Sequence, residues 1–269
     1  PERAAETSSS PTPRPPPECR SRPREASGVA IHRLFKEPLF PDAEEADPDG
    51  LLAIGGDLSP ERLVAAYASG IFPWYGPDSP ILWWSPDPRL VLEPGALHVP
   101  ASLRRVLNSG RFRLTLDRDF GAVIRACARV ARPGQNGTWI VPEMIAAYER
   151  LHRLGLAHSA ECWEGGELVG GLYGVSLGSV FFGESMFHAR PDASKALFAS
   201  FVGWLAENGC TLIDCQQTTP HLLRFGAREI SRKEFLKRLD EGVHAPNLPP
   251  RWEFGSADGP GSPDAQSLQ

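Results

Sequence analysis

The sequence predicts an α+β protein, close to α/β in character. A small N-terminal domain precedes a larger one built on a mixed sheet flanked by helices. Three observations lead there. Glu167–Phe187 holds two glycine-punctuated apolar runs that meet near Ser176–Ser179, the pattern of a β-hairpin. A helical-period run to Asn208 follows, with Leu197, Phe198, Phe201, Val202 and Leu205 on one face, and then a short apolar run, Thr211–Gln216. With the patterns before the hairpin, the larger domain reads helix, helix, strand, strand, strand, helix, strand, helix.

Taken in order, residues 1–28 carry seven prolines, five arginines and four glutamates, and almost nothing apolar. Such a segment cannot bury enough surface to fold and is read as disordered, as is the Gly-, Ser- and Pro-rich 255–269. The first segment lacks the apolar centre of a signal peptide, and its glutamates and prolines argue against a transit peptide. The small domain spans 30–89. In it Leu51–Asp57 reads as a short strand or turn into a helix, with Ser59 as N-cap, Pro60 at the first position and Gly70 at the end. Prolines around Ile71–Tyr75 and Leu82–Arg89 make that stretch irregular. Trp83 and Trp84 read as core. Trp74, in a loop after a proline, is as well placed to stack on a ligand as to pack.

The larger domain spans 90–254. Its first helix carries Phe120, Val123, Ile124, Cys127 and Val130 on one face, with Asp117 as candidate N-cap. Its second runs from Val141 to Gly155, with Met144, Ile145, Tyr148 and Leu151 inward, and Ala157–Trp163 reads as a strand. Asp192 or Ser194 can cap the long helix after the hairpin, and Ser231–Glu234 is a capping box for a last helix to about Glu241. Antiparallel strands, then a helix, then a further strand is the order of acetyltransferase-like (GNAT-like) domains, which speaks to fold and not to function.

A formal charge of −5 argues against a generic polyanion binder but leaves room for a local basic face. One exists. Between Ala101 and Arg132 lie Arg104, Arg105, Arg111, Arg113, Arg118, Arg125, Arg129 and Arg132, against only Asp117 and Asp119. The ordinary meaning of such a run is a solvated face; the functional alternative is a patch for a phosphate backbone. No apolar run approaches the ~18 residues a membrane helix needs. Five cysteines form no CxxC pair and seven histidines show no HxH or HExxH spacing. That usage fits reduced thiols in a cytoplasmic protein and suggests neither a metal nor a cofactor.

The chemistry-bearing residues sit where apolar ones are expected. Glu184 lies between Phe181-Phe182 and Met186-Phe187. Asp214 and Gln216 lie two apart in the third apolar run, so on a strand they point to the same face. A carboxylate in an apolar strand is costly unless paired or wet. Three such groups on neighbouring strands point to an active site more readily than to hydrogen-bonded core polars.

Eight motifs in order resemble one family: Gly50–Pro60 (GLLAIGGDLSP), Gly70–Trp74 (GIFPW), Trp83–Arg89 (WWSPDPR), Gly137–Ile140 (GTWI), Ala157–Ser159 (AHS), Gly183–Phe187 (GESMF), Ala193–Lys195 (ASK) and Leu212–Gln216 (LIDCQ). The chain resembles the leucyl/phenylalanyl-tRNA–protein transferases across roughly His32–Phe254. The resemblance implies a GNAT-like catalytic domain that moves leucine or phenylalanine from leucyl-tRNA or phenylalanyl-tRNA to proteins with N-terminal Arg or Lys, marking them for N-degron degradation. It implies Asp214 and Gln216 as the reaction-centre pair and Glu184 as partner of the cationic acceptor. It implies Trp74 and Trp139 for the 3′ adenosine, and Leu172, Phe181, Phe201 and Ile213 for the aminoacyl side chain. The arginines, Arg104, Arg105, Arg111 and Arg113 foremost, gain weight as a tRNA-backbone patch. The chain departs from the family pattern at Ala189 and at Arg224-Phe225.

The chemistry agrees with these assignments. An aminoacyl ester is already activated, so the task is to hold an amine against a carbonyl and manage one proton, without a covalent nucleophile. The rival on the same fold, an acyl-CoA-dependent N-acetyltransferase, needs a glycine-rich pyrophosphate loop, and Met186–Lys195 contains no glycine.

Overall fold

The computed structural model describes residues 31–130 and 138–254. Both expected tails and Arg132 lie outside the described residues. The first sheet has four strands, β1 (His32–Leu34), β2 (Leu51–Gly55), β3 (Phe72–Pro73) and β4 (Leu82–Trp84), in the order β1-β2-β4-β3. The second has seven: β5 (Arg89–Leu92), β6 (Arg113–Leu116), β7 (Ala157–Glu164), β8 (Glu167–Leu177), β9 (Val180–His188), β10 (Leu212–Gln216) and β11 (Arg228–Ile230). Their order is β11-β5-β10-β9-β8-β7-β6. The helices are α1 (Pro60–Ala68), α2 (Ala101–Leu107), α3 (Phe120–Arg129), α4 (Pro142–Arg153), α5 (Ala193–Glu207), α6 (Pro220–Leu223) and α7 (Arg232–Val243). The protein is therefore mixed α/β, with the expected order hairpin, helix, strand at β8-β9-α5-β10.

The second sheet is mixed because β9 and β10 run parallel while its other pairs are antiparallel. A parallel pair needs a crossover, and α5 provides it. Alternation of side chains feeds two cores. Leu90, Leu92, Leu172, Phe181 and Ile213 face one, which α5 covers. Val91, Tyr173, Phe182 and Leu212 face the other, shared with α3, α4, α7 and the small sheet. Helix α5 is buried nearly all round, which explains its many apolar residues.

Several expectations change. The proline-rich stretch read as irregular contains β3, β4 and β5. Pro73 is tolerated because β3 is an edge strand. Strand β5 joins the larger sheet between β11 and β10. The N-cap of α3 is Asp119, which accepts from Ala122 N at 2.9 Å. Asp117 instead adopts φ 51 and accepts from Ser159 N at 2.8 Å, with His158 Nδ1 2.7 Å from its other oxygen. Asp192 stands before α5 at φ 67 and makes no side-chain cap bond. Ser59 and Ser231 cap α1 and α7 as their sequence contexts imply.

Two features position the site. First, β9 and β10 pair only over Val180–Phe182 and Leu212–Asp214, and β9 then runs on to His188 alongside β8 alone. Second, the hairpin tip is sewn to the end of α7. Ser179 N donates to Gly242 O at 2.9 Å and Gly178 N to Asn247 Oδ1 at 3.0 Å. Gly178 turns at φ +57, and a Cβ there would meet Gly242 O at 2.2 Å. Gly178→Ala is therefore expected to lower the unfolding free energy by about 1–3 kcal/mol in urea titrations. An unchanged midpoint would mean that the tip is not held against α7.

Candidate active site

Where β9 and β10 part, a cavity of about 890 Å³ opens between them. Residues from Gly183 to Pro191 line it from the β9 side, and Ile213, Cys215, Gln216 and Gln217 from the β10 side. Its apolar wall holds Leu172, Phe181, Phe201 and Ile213, with the rings of Phe181 and Phe201 edge-to-face at 5.0 Å. Trp252 backs this wall, 5.9 Å from Phe181 and 6.0 Å from Phe201. Trp74 and Trp139 line the cavity as well. Trp84 holds the Trp74 loop, donating from its indole to Trp74 O at 2.6 Å.

Glu184 sits just past the parting of the strands, which is why a carboxylate can interrupt an apolar run there. Tyr67 from α1 approaches one of its oxygens at 2.7 Å, and Tyr148 from α4 the other at 3.0 Å. Gln216 Nε2 donates to it at 2.8 Å. The two tyrosine hydroxyls also touch each other closely. Three oxygen–oxygen contacts thus share two hydroxyl hydrogens, and a proton on Glu184 completes the set. Burial pushes the Glu184 carboxyl up to about 7, with the charge of Asp214 adding to the shift and the donated hydrogen bonds opposing it.

Asp214 is placed differently from the sequence expectation. It is fully buried, and Arg89 grips it with two bonds, Nε to Oδ1 at 2.8 Å and Nη2 to Oδ2 at 2.7 Å. Gln216 N donates to the same Oδ1 at 2.9 Å. The strand is irregular between the two residues and Gln216 takes φ 61, so the simple alternation that puts them on one face does not apply. Gln216 reaches the cavity while Asp214 holds its backbone from behind. Arg89 is itself sandwiched between the rings of Phe72 and Phe235, at 4.8 and 4.5 Å.

The family models and the most similar relatives agree on one family. The leucyl/phenylalanyl-tRNA protein transferase model matches residues 91–240, and the model of that family's N-terminal domain matches residues 56–87. A leucyl/phenylalanyl-tRNA–protein transferase of Anaeromyxobacter sp. (strain Fw109-5) is 66% identical over 86% of this chain and 99% of its own length. One from Nitratidesulfovibrio vulgaris (strain DP4) is 60% identical over 82% of this chain and 97% of its own. The chain belongs to the leucyl/phenylalanyl-tRNA–protein transferase family. Among solved structures, a GCN5-related N-acetyltransferase from Kribbella flavida is 15% identical, covering 64% of this chain and 61% of that one, with a TM-score of 0.35.

In this family member the cavity gathers Glu184, Gln216, Trp74, Trp139, Leu172, Phe181, Phe201 and Ile213. Arg104, Arg105, Arg111 and Arg113 do not line it. They are exposed on and around α2 and β6, and Arg111 is paired with Glu164 at 2.7 Å. Three site components escaped the sequence: Tyr67, Tyr148 and Arg89. Tyr148 lies on a helix face that the sequence marks as inward and Tyr67 beside Ala66 in α1, yet a buried hydroxyl needs a partner, as does a carboxylate in an apolar strand. Arg89 ended a motif but carried no sign of its mate 125 positions away. Cys215 also lines the cavity, and burial, with the charge of Asp214, pushes its thiol pKa up.

Removing Arg89 should leave a buried, unpaired carboxylate. Arg89→Met is expected to lower stability by about 3–5 kcal/mol, much of it regained in the Arg89→Met/Asp214→Leu double variant. Equal urea midpoints for Arg89→Met and the parent would show that the pair does not carry this load.

Proposed function

We propose that this protein transfers leucine or phenylalanine from aminoacyl-tRNA to the N-terminal Arg or Lys of acceptor proteins, with the cavity between β9 and β10 as the reaction site. The observation that carries the reading is the meeting, in one cavity, of an apolar pocket, two tryptophans and an acidic corner. The pocket of Leu172, Phe181, Phe201 and Ile213 suits side chains that are bulky, apolar and unbranched at Cβ, which leucine and phenylalanine share. Trp74 and Trp139 offer faces for the 3′ adenine. Glu184 receives the cationic side chain of the acceptor. The exposed arginines Arg104, Arg105, Arg111 and Arg113 meet the tRNA backbone by charge. This donor places the enzyme in the cytoplasm; among the described residues no helix is long and apolar enough to cross a membrane.

In the reaction the acceptor's α-amine attacks the ester carbonyl. A C–N bond forms, the C–O bond to the terminal ribose breaks, and the amine's proton ends on the departing ribose oxygen. Gln216 orients the reactants through its side-chain amide, which already bonds Glu184. Asp214 acts through Gln216 as a positioning group, because Arg89 and the Gln216 amide occupy its oxygens.

Transfer of labelled leucine from leucyl-tRNA to an Arg-initiated peptide, with an Asp-initiated peptide alongside, tests the reading. Label in the Arg peptide alone is expected; label in neither, with folded protein, overturns it.

The acid corner makes a pH prediction. An acceptor cation prefers the Glu184 carboxylate, which forms as pH rises through about 7. The acceptor KM should therefore fall across that range, and a second rise in rate should follow as the α-amine loses its proton near 7.7–8.0. Glu184→Gln should raise the acceptor KM and erase the inflection near 7, leaving the upper one. An identical pH profile in the variant would remove Glu184 from this role.

A further inference from the structure

The cavity has a second set of polar residues that the reaction scheme does not use. His188, Arg190, Asp192 and Lys195 line it between β9 and the first turn of α5, and His221 and Arg224 line it from α6. Five of these six are basic. The charge acting on Glu184 is that of Asp214, whereas those acting on His221 are Lys195, His188 and Arg224.

His221 is the centre of the group. Among the described residues its buried Nε2 has no hydrogen-bond partner, and its ring is braced edge-on by Phe225 at 5.2 Å. Such a nitrogen calls for a partner, and a turn of the ring toward the cavity that His221 lines would offer it a ligand atom. Burial, together with the neighbouring positive charges, holds the imidazole below its ordinary pKa. Near neutral pH it is an uncharged ring able to donate one N–H beside two permanent cations. Lys195 Nζ lies 3.0 Å from Asp192 Oδ1 in an exposed pair, which an incoming anion can share or replace. Helix α5, fifteen residues long, brings its N-terminal end to the same rim.

Such a surround takes an anion. With an aminoacyl group on the apolar wall and adenine against the tryptophans, the charged group adjoining that terminal nucleoside is its own 5′ phosphodiester. We propose that Lys195, His221 and Arg224 form a subsite for the phosphodiester that joins the last two nucleotides of the aminoacyl-tRNA. The subsite rests on the placement of the aminoacyl-adenosine proposed above. It anchors the end of the tRNA one bond beyond the reacting ribose and so fixes the ester against Gln216.

Two small donors probe this contact: leucyl-adenosine, which has no phosphate, and leucyl-cytidylyl-adenosine, which adds one phosphodiester together with its cytidine. With an Arg-initiated peptide as acceptor, the dinucleotide should show a KM about tenfold lower in the parent enzyme, the worth of one charge-assisted hydrogen bond. Lys195→Ala and His221→Ala should each abolish most of that advantage, and His221→Gln, which keeps an N–H donor, should restore part of it. A full dinucleotide advantage in both alanine variants would overturn the subsite. So would an equal weakening of both donors, which would mean that the residues only shape the cavity. A parent enzyme that uses leucyl-tRNA but neither small donor would instead overturn the placement of the aminoacyl-adenosine, and the subsite with it.

Discussion

The buried pair of Arg89 and Asp214 is the constraint on which the site depends. Neither charge reaches water, so each exists only because the other meets it with two parallel bonds. Four parts of the chain converge to make that possible. Arg89 comes from β5, Asp214 from β10, and the rings that enclose the guanidinium from β3 and α7. The pair thus ties the small sheet, the large sheet and the last helix to one point. Gln216 hangs from it by its backbone amide in a left-handed conformation that an unbraced strand would abandon.

The second organising device is the parting of two parallel strands. After three paired residues β9 loses its neighbour, and the space that a continued ladder would fill becomes the cavity. Glu184 falls at that gap. It is met by hydroxyls from α1 and α4, two helices far apart in the sequence. The result is a carboxyl whose pKa burial raises to about 7. A carboxylate with full access to water would gain less from a cationic partner, because solvent would screen the charge.

Much of this was legible beforehand. Glu184, Gln216 and the apolar residues around them stood out because polar groups in apolar strands demand a reason, and eight collinear motifs identified the family. The two capping serines, Ser59 and Ser231, read correctly because capping is local chemistry. Where local rules misled, a tertiary contact had overridden them. Asp117 resembles an N-cap but serves His158 and Ser159, and the true cap stands two residues on. The proline-rich stretch looked irregular, yet short edge pairing with β4 needs few hydrogen bonds and tolerates Pro73.

The sequence by itself determined the elements whose pattern is periodic, the family and the polar residues that stand in apolar strands, because these depend on neighbours in the chain. Only the tertiary structure decided how those residues are used. The roles of Tyr67, Tyr148 and Arg89 follow from partners 36 to 125 positions away. The parity of Asp214 and Gln216 was broken by an irregularity that no alternation rule contains. A buried charge or hydroxyl is defined by what surrounds it in space, and pairing across such distances is settled only when the sheet assembles.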